Sequence, residues 1–263
     1  MLTRMDLDRV VVVLVRARNP SNIGAVARAM HDFGFRHLRV VNEFEVPFEA
    51  AKSAVDASAV MAAATTCGSV AEAVADCTLV VGTTAVGERV MQHPLRVLAD
   101  AGGEVLGHLA SEGSGRAALL FGSEKTGLSN EELSHCNWLL TIPMAEHEDL
   151  RHPSMNLGQA VAVCLYELVR GADAGVVRVS VAKVGAGAGA GAGEVERLTA
   201  LLIEVLEKTG YRRHHPANCD DAAIRRLVLR MGLSAEDVPV WMGMLRQILW
   251  RVTQTQGSGV HLS

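Results

Sequence analysis

The chain has 263 residues, of which 49% are hydrophobic and 21% charged, so it can bury the core of one large domain, or of one domain with a small second one. Its formal net charge of -4 argues against a protein wrapped in nucleic acid, but it allows a local basic face. The longest early apolar run, residues 10–15, is too short for a membrane span or a signal-peptide core. We therefore expect a soluble cytoplasmic protein without a membrane segment.

Short β-rich runs alternate with helical patterns in the first two thirds of the chain. Such alternation predicts an α/β fold with a parallel sheet covered by helices. In the first predicted helix, Ile23, Val26, Met30 and Phe33 form a core stripe, and Gly34 is expected to cap the C-terminus. We predict strands at 10–15, 37–42, 77–84, 117–124 and 138–144, and helices at 22–33, 94–109, 130–136 and 156–170.

The five cysteines predict no disulfide framework and no zinc site. Their number is odd, they lie far apart, and none forms a C-x-x-C pair. We expect them to be small buried hydrophobic residues, and we expect no metal site. They are Cys67, Cys77, Cys136, Cys164 and Cys219.

A glycine-alanine stretch separates this region from the last part of the chain. The sequence "VGAGAGAGAGE" at 184–194 has no side chain able to pack, so it predicts a flexible linker. Amphipathic patterns at 195–208, 222–231 and 240–252 then predict a small helical domain. Residues 194–263 contain nine Lys and Arg against eight Asp and Glu, which makes this part the more basic one.

Chemistry is expected where strands end, because open parallel sheets bind ligands outside the carboxyl ends of their strands. The first unusual junction is "NPSNIGAVAR", in which Gly24 and Arg28 share a helix face. Glycine leaves room above the helix, and a guanidinium group can lie across that space. The alternative is that Arg28 only caps a neighbouring carbonyl or points into solvent.

The second junction is "LLFGSEKTGL" at 119–128. Gly122 would permit close approach of the backbone to a ligand. The stretch is neither G-x-G-x-x-G nor a Walker P-loop, so its pattern does not favour a dinucleotide or a nucleoside triphosphate. Glu124 and Lys125 could equally form a plain surface ion pair.

The third junction is "HPSMNLGQA" at 152–160. Ser154 is placed to cap a helix whose N-terminus would suit an anion. Capping alone would also explain Ser154. Asn156 in the first turn gains little structurally, so it favours a functional interpretation.

Taken together, "NPSNIGAVARAM", "LLFGSEKTGLSNEEL" and "IPM" followed by "HPSMNLGQAVAV" resemble the three motifs of the TrmH-like branch of the SPOUT RNA 2′-O-ribose methyltransferases. The resemblance covers most of residues 9–171. Residues 214–252 further look like the tail of the TrmJ branch, which methylates nucleotide 32 of the tRNA anticodon loop.

The resemblance implies an architecture that propensities alone would not give. It implies a SPOUT-type parallel sheet with a C-terminal trefoil knot in a homodimer, although knots are essentially absent from proteins by default. The implied divisions are a knotted methyltransferase domain at 1–172, a linker at 173–193 and a helical tRNA-binding extension at 194–263.

The resemblance also implies S-adenosylmethionine as the cofactor and tRNA as the partner. The cofactor would be contacted by Thr83, Thr84, Ala85, Gly122, Ile142, Pro153, Ser154 and Met155. The implied catalytic group consists of Arg28, with Asn22, Glu124, Ser154 and Asn156 around it. RNA would be bound by Arg212, Arg213, Arg225, Arg226 and Arg230.

Arg28 approaches the target ribose on this interpretation. A guanidinium group stays protonated in water, so we expect Arg28 to hold the adjacent phosphate and polarise the 2′-hydroxyl group rather than to act as a base. Three alternatives stay open: a ribosomal RNA methyltransferase of the same family, a non-catalytic RNA-binding relative, and an α/β protein that binds a nucleotide for another purpose.

Overall fold

The computed structural model describes residues 7–41, 58–85, 92–111, 115–145, 155–173, 189–216 and 219–257. Its strands form one sheet in the order β3-β2-β1-β6-β4-β7-β5, and neighbouring strands are parallel. The predicted parallel α/β fold is therefore confirmed. The strands are β1 Val10–Val15, β2 His37–Val41, β3 Thr65–Cys67, β4 Cys77–Thr83, β5 Leu95–Val97, β6 Arg116–Phe121 and β7 Trp138–Thr141.

Helices cover the sheet and form the C-terminal part of the chain. Those of the sheet region are α1 Pro20–Phe33, α2 Ser58–Ala63, α3 Val70–Ala73, α4 Leu98–Ala110, α5 Asn130–Leu133 and α6 Leu157–Asp173. The C-terminal ones are α7 Ala192–Lys208, α8 Tyr211–His214, α9 Asp221–Met231 and α10 Asp237–Gly257.

Two apolar layers bury the two faces of the sheet. Alternate residues of a strand point to opposite faces, and in β1 Val12 packs in one layer whereas Val13 packs in the other. All six residues of β1 are buried, which explains the uninterrupted apolar run in the sequence. Apolar packing on both faces of the sheet thus holds β1 in place.

The first helix forms as its sequence predicts. Asn19 caps the N-terminus by accepting a hydrogen bond from the Ser21 backbone N–H, and Pro20 occupies the first turn. Gly34 ends the helix in the left-handed conformation with φ 82°, which a glycine adopts without strain. Ile23, Val26 and Met30 of the predicted stripe are buried, and Phe33 is partly buried.

The prediction of a helix at 94–109 is wrong at its beginning. Residues 95–97 form the edge strand β5, which pairs with β7, and the helix begins only at Leu98. Pro94 lacks an N–H, and its carbonyl accepts a hydrogen bond from Leu139 instead. Proline is tolerated before an edge strand because it need not donate there.

The C-terminal helices have a small core of their own. Leu198, Val205, Val228 and Leu245 are buried together where α7, α9 and α10 meet. The predicted helical extension is confirmed at the level of its helices, whereas its separation as a domain stays a prediction. The trefoil knot also stays a prediction.

The last residues of the predicted linker are structured. Ala190 donates its N–H to Leu233, and Gly193 donates to the carbonyl of Ala75 at 3.0 Å. A Cβ on Gly193 would lie 2.9 Å from that carbonyl oxygen, so the missing side chain allows the contact. Residues 174–188 of the linker lie outside the described residues.

All five cysteines are free and buried, as predicted. Within the described ranges, no helix is both long and apolar enough to span a membrane.

Asp76 joins two strands on either side of β1. Its carboxylate accepts hydrogen bonds from Arg39 of β2 at 2.5 and 2.8 Å, and Arg116 of β6 lies 3.5 Å away. The hydrogen bond from Arg39 is the main reason why the pKa of Asp76 falls from 3.8 to about 2, against the opposing effect of burial. The folded state therefore favours the ionised carboxylate.

We expect Asp76→Asn to remove a pH-dependent part of the stability. Because the folded pKa is depressed, the contribution is present above about pH 4 and is lost as the pH falls toward 2. The side chain is 49% exposed, so the loss in unfolding free energy at pH 7 should be about 1 kcal/mol or less. Urea unfolding of both proteins at pH 7 and pH 3 measures it, and equal differences at the two pH values would contradict this role.

Candidate functional site

The carboxyl ends of β4, β6 and β7 lie side by side. Thr83 donates its hydroxyl to the carbonyl of Leu120 at 2.8 Å, and the Thr84 N–H donates to the carbonyl of Leu140 at 3.0 Å. Ala85 continues from β4 as an exposed residue. The residues that the sequence assigns to the cofactor, Thr83, Thr84, Ala85, Gly122, Ile142 and Met155, are described here, whereas Pro153 and Ser154 lie outside the described residues.

One hydrogen-bonded chain connects the three junctions that the sequence singles out. Asn22 on the first turn of α1 donates to Glu124 in the loop after β6, with 2.5 Å between Nδ2 and Oε1. Asn156 donates to Asn22, with 3.3 Å between Nδ2 and Oδ1. Three residues that are far apart in sequence thus form a polar group at the carboxyl edge of the sheet.

Asn156 also has a structural role that the sequence analysis missed. Its side-chain oxygen accepts from the Gly158 N–H at 2.9 Å, and its carbonyl accepts from Ala160. Asn156 therefore caps the N-terminus of α6, and the view that it gains little structurally is wrong. The same amide caps the helix with its oxygen and holds Asn22 with its nitrogen.

A close approach of α6 to α1 makes this chain of contacts possible. A Cβ on Gly158 would lie only 2.8 Å from the Cβ of Ala25. Real Cβ atoms do not approach so closely, so the two helices pack where one of them has no side chain. This packing brings the N-terminus of α6 beside the first turn of α1.

The space that a side chain at position 122 would occupy is filled by the protein itself. A Cβ there would lie 2.1 Å from the Gly127 carbonyl carbon and 2.3 Å from the Leu128 nitrogen. The segment folds back on itself through a bridge between Ser123 and Gly127, and Gly127 has φ 65°. The backbone that approaches Gly122 is therefore the protein's own.

Arg28 lies on α1 six residues after Asn22 and is exposed. Gly24, one turn before Arg28 on the same helix, is buried. The exposed residues along this part of the helix are Ala25 and Arg28. Arg28 can therefore reach a molecule bound outside the helix without leaving its own element.

Arg16 is a residue at this edge that the sequence analysis missed. It follows β1 directly, and its guanidinium group bonds to Glu132 through Nε at 2.6 Å and Nη2 at 2.9 Å. Although burial raises the pKa of Glu132, hydrogen bonds from Arg16 and Ser129 hold it below the usual value. The available signal was an arginine at the end of a fully apolar strand.

Arg225, which the sequence assigns to RNA, is paired within the protein. Arg225 is only 7% exposed, and its guanidinium group bonds to Glu131 and Ser134 of the sheet region and to Glu196 of α7. Burial lowers the pKa of nearby His135 to about 4, and the Arg225 charge adds to the effect. Arg225 joins α9 to the segment after the second junction.

The other arginines that are predicted to bind RNA differ in their exposure and in their pairing with carboxylates. Arg212 bonds to Glu207 and Asp221 at 2.8 Å each, so part of its charge is already balanced. Arg213 and Arg230 are exposed, and Arg226 is half-buried. Burial, with the positive charges of Arg226 and Arg230, lowers the pKa of His93, which places both arginines near the segment that precedes β5.

Within the described ranges, no group of three or more His, Cys, Asp or Glu side chains is arranged to hold a metal ion. A parallel sheet with helices on both faces and a polar chain at its carboxyl edge defines an α/β protein with a ligand site outside the strand ends.

Comparison with known proteins shows to which family of α/β proteins the chain belongs. Residues 9–166 match the SpoU rRNA Methylase family. A relative in Sodalis glossinidius, named tRNA (cytidine/uridine-2'-O-)-methyltransferase TrmJ, is 34% identical over 92% of each chain. A relative in Pseudomonas aeruginosa, named tRNA (cytidine/uridine/adenosine-2'-O-)-methyltransferase TrmJ, is 38% identical over 62% of this chain and 61% of its own. The chain therefore belongs to the SpoU methylase family and is an RNA methyltransferase.

Solved structures agree with this assignment. The crystal structure of TrmJ from Z. mobilis ZM4 is 27% identical, and the match covers 90% of this chain and 98% of that chain with a TM-score of 0.73. A probable methylase family protein from Haemophilus influenzae Rd KW20 is also 27% identical, with coverage of 95% and 99% and a TM-score of 0.56. The SPOUT-type fold implied by the sequence motifs is confirmed.

We expect Gly122→Ala to destabilise the site region. The added methyl group would overlap the backbone at 127–128, so the unfolding free energy should fall by about 2 kcal/mol, as measured by urea unfolding. The matched control is Gly243→Ala in α10, where nothing lies within 4 Å of the added atom. The control should gain about 0.5–1 kcal/mol. Unchanged stability of Gly122→Ala would mean that the 122–128 loop opens freely.

Proposed function

We propose that this protein is an S-adenosylmethionine-dependent tRNA 2′-O-ribose methyltransferase that acts on anticodon-loop nucleotide 32. The observation that carries the proposal is the polar chain of Asn156, Asn22 and Glu124 at the carboxyl edge of the sheet. The names of the relatives support tRNA as the substrate. The motif resemblance supports nucleotide 32, a homodimer and a cytoplasmic location, which stay predictions.

The chemistry of the strand ends fits the proposed cofactor. Thr83, Thr84 and Ala85 offer small side chains and backbone groups, and Ile142 offers a half-buried apolar surface. A neutral adenine ring and an aliphatic chain require this combination of apolar contact and backbone polarity. When bound, the cofactor supplies a methyl group on a sulfonium leaving group.

Arg28 would hold the substrate in place. Its exposed guanidinium group can bind the phosphate beside the target ribose with two parallel hydrogen bonds. The same positive charge would polarise the 2′-hydroxyl group, whose oxygen would bond to the methyl carbon as the carbon–sulfur bond breaks and whose proton would pass to water. Because the leaving group is already activated, holding the hydroxyl oxygen in line with the methyl group can supply much of the rate.

The position of Arg28 would be fixed by the hydrogen-bonded group of Asn22, Glu124 and Asn156. Asn22 lies on the same helix as Arg28, and its side chain is held from two sides. We propose that this group, with Ser154, orients the ribose and the cofactor. Of these residues, Ser154 lies outside the described part of the chain.

We expect Arg28→Ala to lose methyl transfer to tRNA. The measurement is the transfer of labelled methyl from S-adenosylmethionine to bulk tRNA, followed by nucleoside mapping. The wild type should label a 2′-O-methylated anticodon-loop pyrimidine, and the variant should be roughly 100-fold slower or worse. Arg36→Ala is the matched control, because Arg36 is an exposed arginine that precedes β2 at the opposite edge.

The alternatives predict different results in the same experiment. Label in ribosomal RNA but not in tRNA would identify a ribosomal RNA methyltransferase. No label in either RNA, with cofactor binding intact, would identify a non-catalytic RNA-binding protein. Failure to bind S-adenosylmethionine would favour an α/β protein that binds another nucleotide.

We also propose that Arg213, Arg226 and Arg230 contact tRNA phosphates, with Arg212 contributing less. A double variant of Arg226→Ala and Arg230→Ala should weaken tRNA binding, and the slope of log affinity against log salt should become shallower by about 2. Binding titrations between 50 and 200 mM salt measure this slope. The matched control is Arg246→Ala, an exposed arginine of α10. An equal loss of tRNA affinity per arginine in the control would contradict specific binding of tRNA phosphates by the arginines of α9.

A further inference from the structure

Arg16 has an unusual backbone for an arginine. Its φ is 57°, and among the described residues it is the non-glycine residue with positive φ. Residues other than glycine disfavour this left-handed backbone conformation, and they keep it only where the surrounding structure enforces it. The Arg16 N–H still donates to the carbonyl of Val41 at 2.9 Å, so the turn comes immediately after the last ladder contact of β1.

The side chain of Arg16 then crosses to the loop after the neighbouring strand β6. Besides its two bonds to Glu132, Nη2 donates to the carbonyl of Gly127 at 2.9 Å, and Nη1 lies 3.5 Å from the Thr126 hydroxyl. Glu132 has an exposed fraction of only 14%. A two-pronged charged contact in a sheltered place is among the stronger polar contacts in proteins.

These contacts anchor the loop that carries Glu124. Glu124 and Lys125 are exposed, and Glu124 is held by one hydrogen bond to Asn22. The far end of the same loop is held by Arg16 at Thr126 and Gly127. The 122–128 loop is thus held at two points, by Asn22 at Glu124 and by Arg16 at Thr126 and Gly127.

Glu132 does not need Arg16 for its other role. It forms a capping box with Ser129 at the start of α5, and glutamine can replace glutamate in such a box. The contact to Arg16 is therefore separable from helix capping, which allows a clean test.

We propose that Arg16 is a positioning residue of the methyl-transfer site, which clamps the 122–128 loop and so holds Glu124 against Asn22. This inference rests on the proposed function, because the loop matters for catalysis only if methyl transfer occurs at this edge. Arg16 acts through the loop and does not itself touch the substrate. A displacement of the loop by about 1 Å is enough to slow a positioned reaction strongly.

The first test of this clamp, the set of contacts between Arg16 and the 122–128 loop, does not depend on catalytic activity. It measures hydrogen-deuterium exchange of the peptide that covers residues 122–132 in the full-length protein. Exchange should be at least about tenfold faster in Arg16→Ala, with a smaller increase in Arg16→Lys and in Glu132→Gln. Arg36→Ala is the control and should match the wild type. Wild-type exchange of this peptide in Arg16→Ala would overturn the proposal, whatever the activity.

Methyl transfer then tests positioning against a merely structural role. We expect Arg16→Ala to lower kcat by roughly 10- to 100-fold, with the KM for the cofactor within about twofold of the wild type. The Arg16→Ala/Glu132→Gln double variant should lose no more than Arg16→Ala alone, since the two residues act as a pair. Unchanged kcat, or additive losses, would overturn the proposal. Faster loop exchange in a protein whose wild type methylates no RNA would leave the clamp standing and reject the proposed function.

Discussion

The close packing of α6 on α1 is the constraint on which the site depends. Gly158 meets Ala25 where no second side chain would fit, and this contact sets Asn156 within reach of Asn22. Asn22 in turn holds Glu124. The polar group at the sheet edge is therefore a consequence of the way in which α6 packs on α1, and a larger residue at 158 would push the two helices apart.

Charge pairing between distant parts of the chain determines which arginines are free for a polyanion. Arg225 is held by carboxylates of α5 and α7, so it connects the C-terminal helices to the segment that follows the Glu124 loop. Such a sheltered pair is costly to break, because it leaves an uncompensated charge behind. Of the arginines that the sequence assigns to RNA, Arg213 of α8 and Arg230 of α9 stay exposed, and Arg226 of α9 is half-buried.

Two interpretations of the sequence left out a structural role, and they did so for one physical reason. Gly122 was expected to admit a ligand and Asn156 was expected to lack a structural role, yet the chain's own backbone occupies the space at Gly122 and the helix terminus uses the Asn156 oxygen. A small residue permits close approach without saying what approaches. A polar side chain can satisfy a backbone group and a neighbour at once, so function and structure need not compete for it.

The sequence by itself determined the parallel sheet, the core stripe and caps of α1, and the three junctions, because apolar periodicity and local capping depend on neighbours along the chain. It also determined the family, because the three motifs stand in order with little ambiguity. Only the tertiary structure decided that β5 is a strand, that Arg225 is buried and that Arg16 holds the Glu124 loop. These outcomes depend on partners between 29 and 116 positions away, and side-chain reach across such separations is set by packing and not by local pattern.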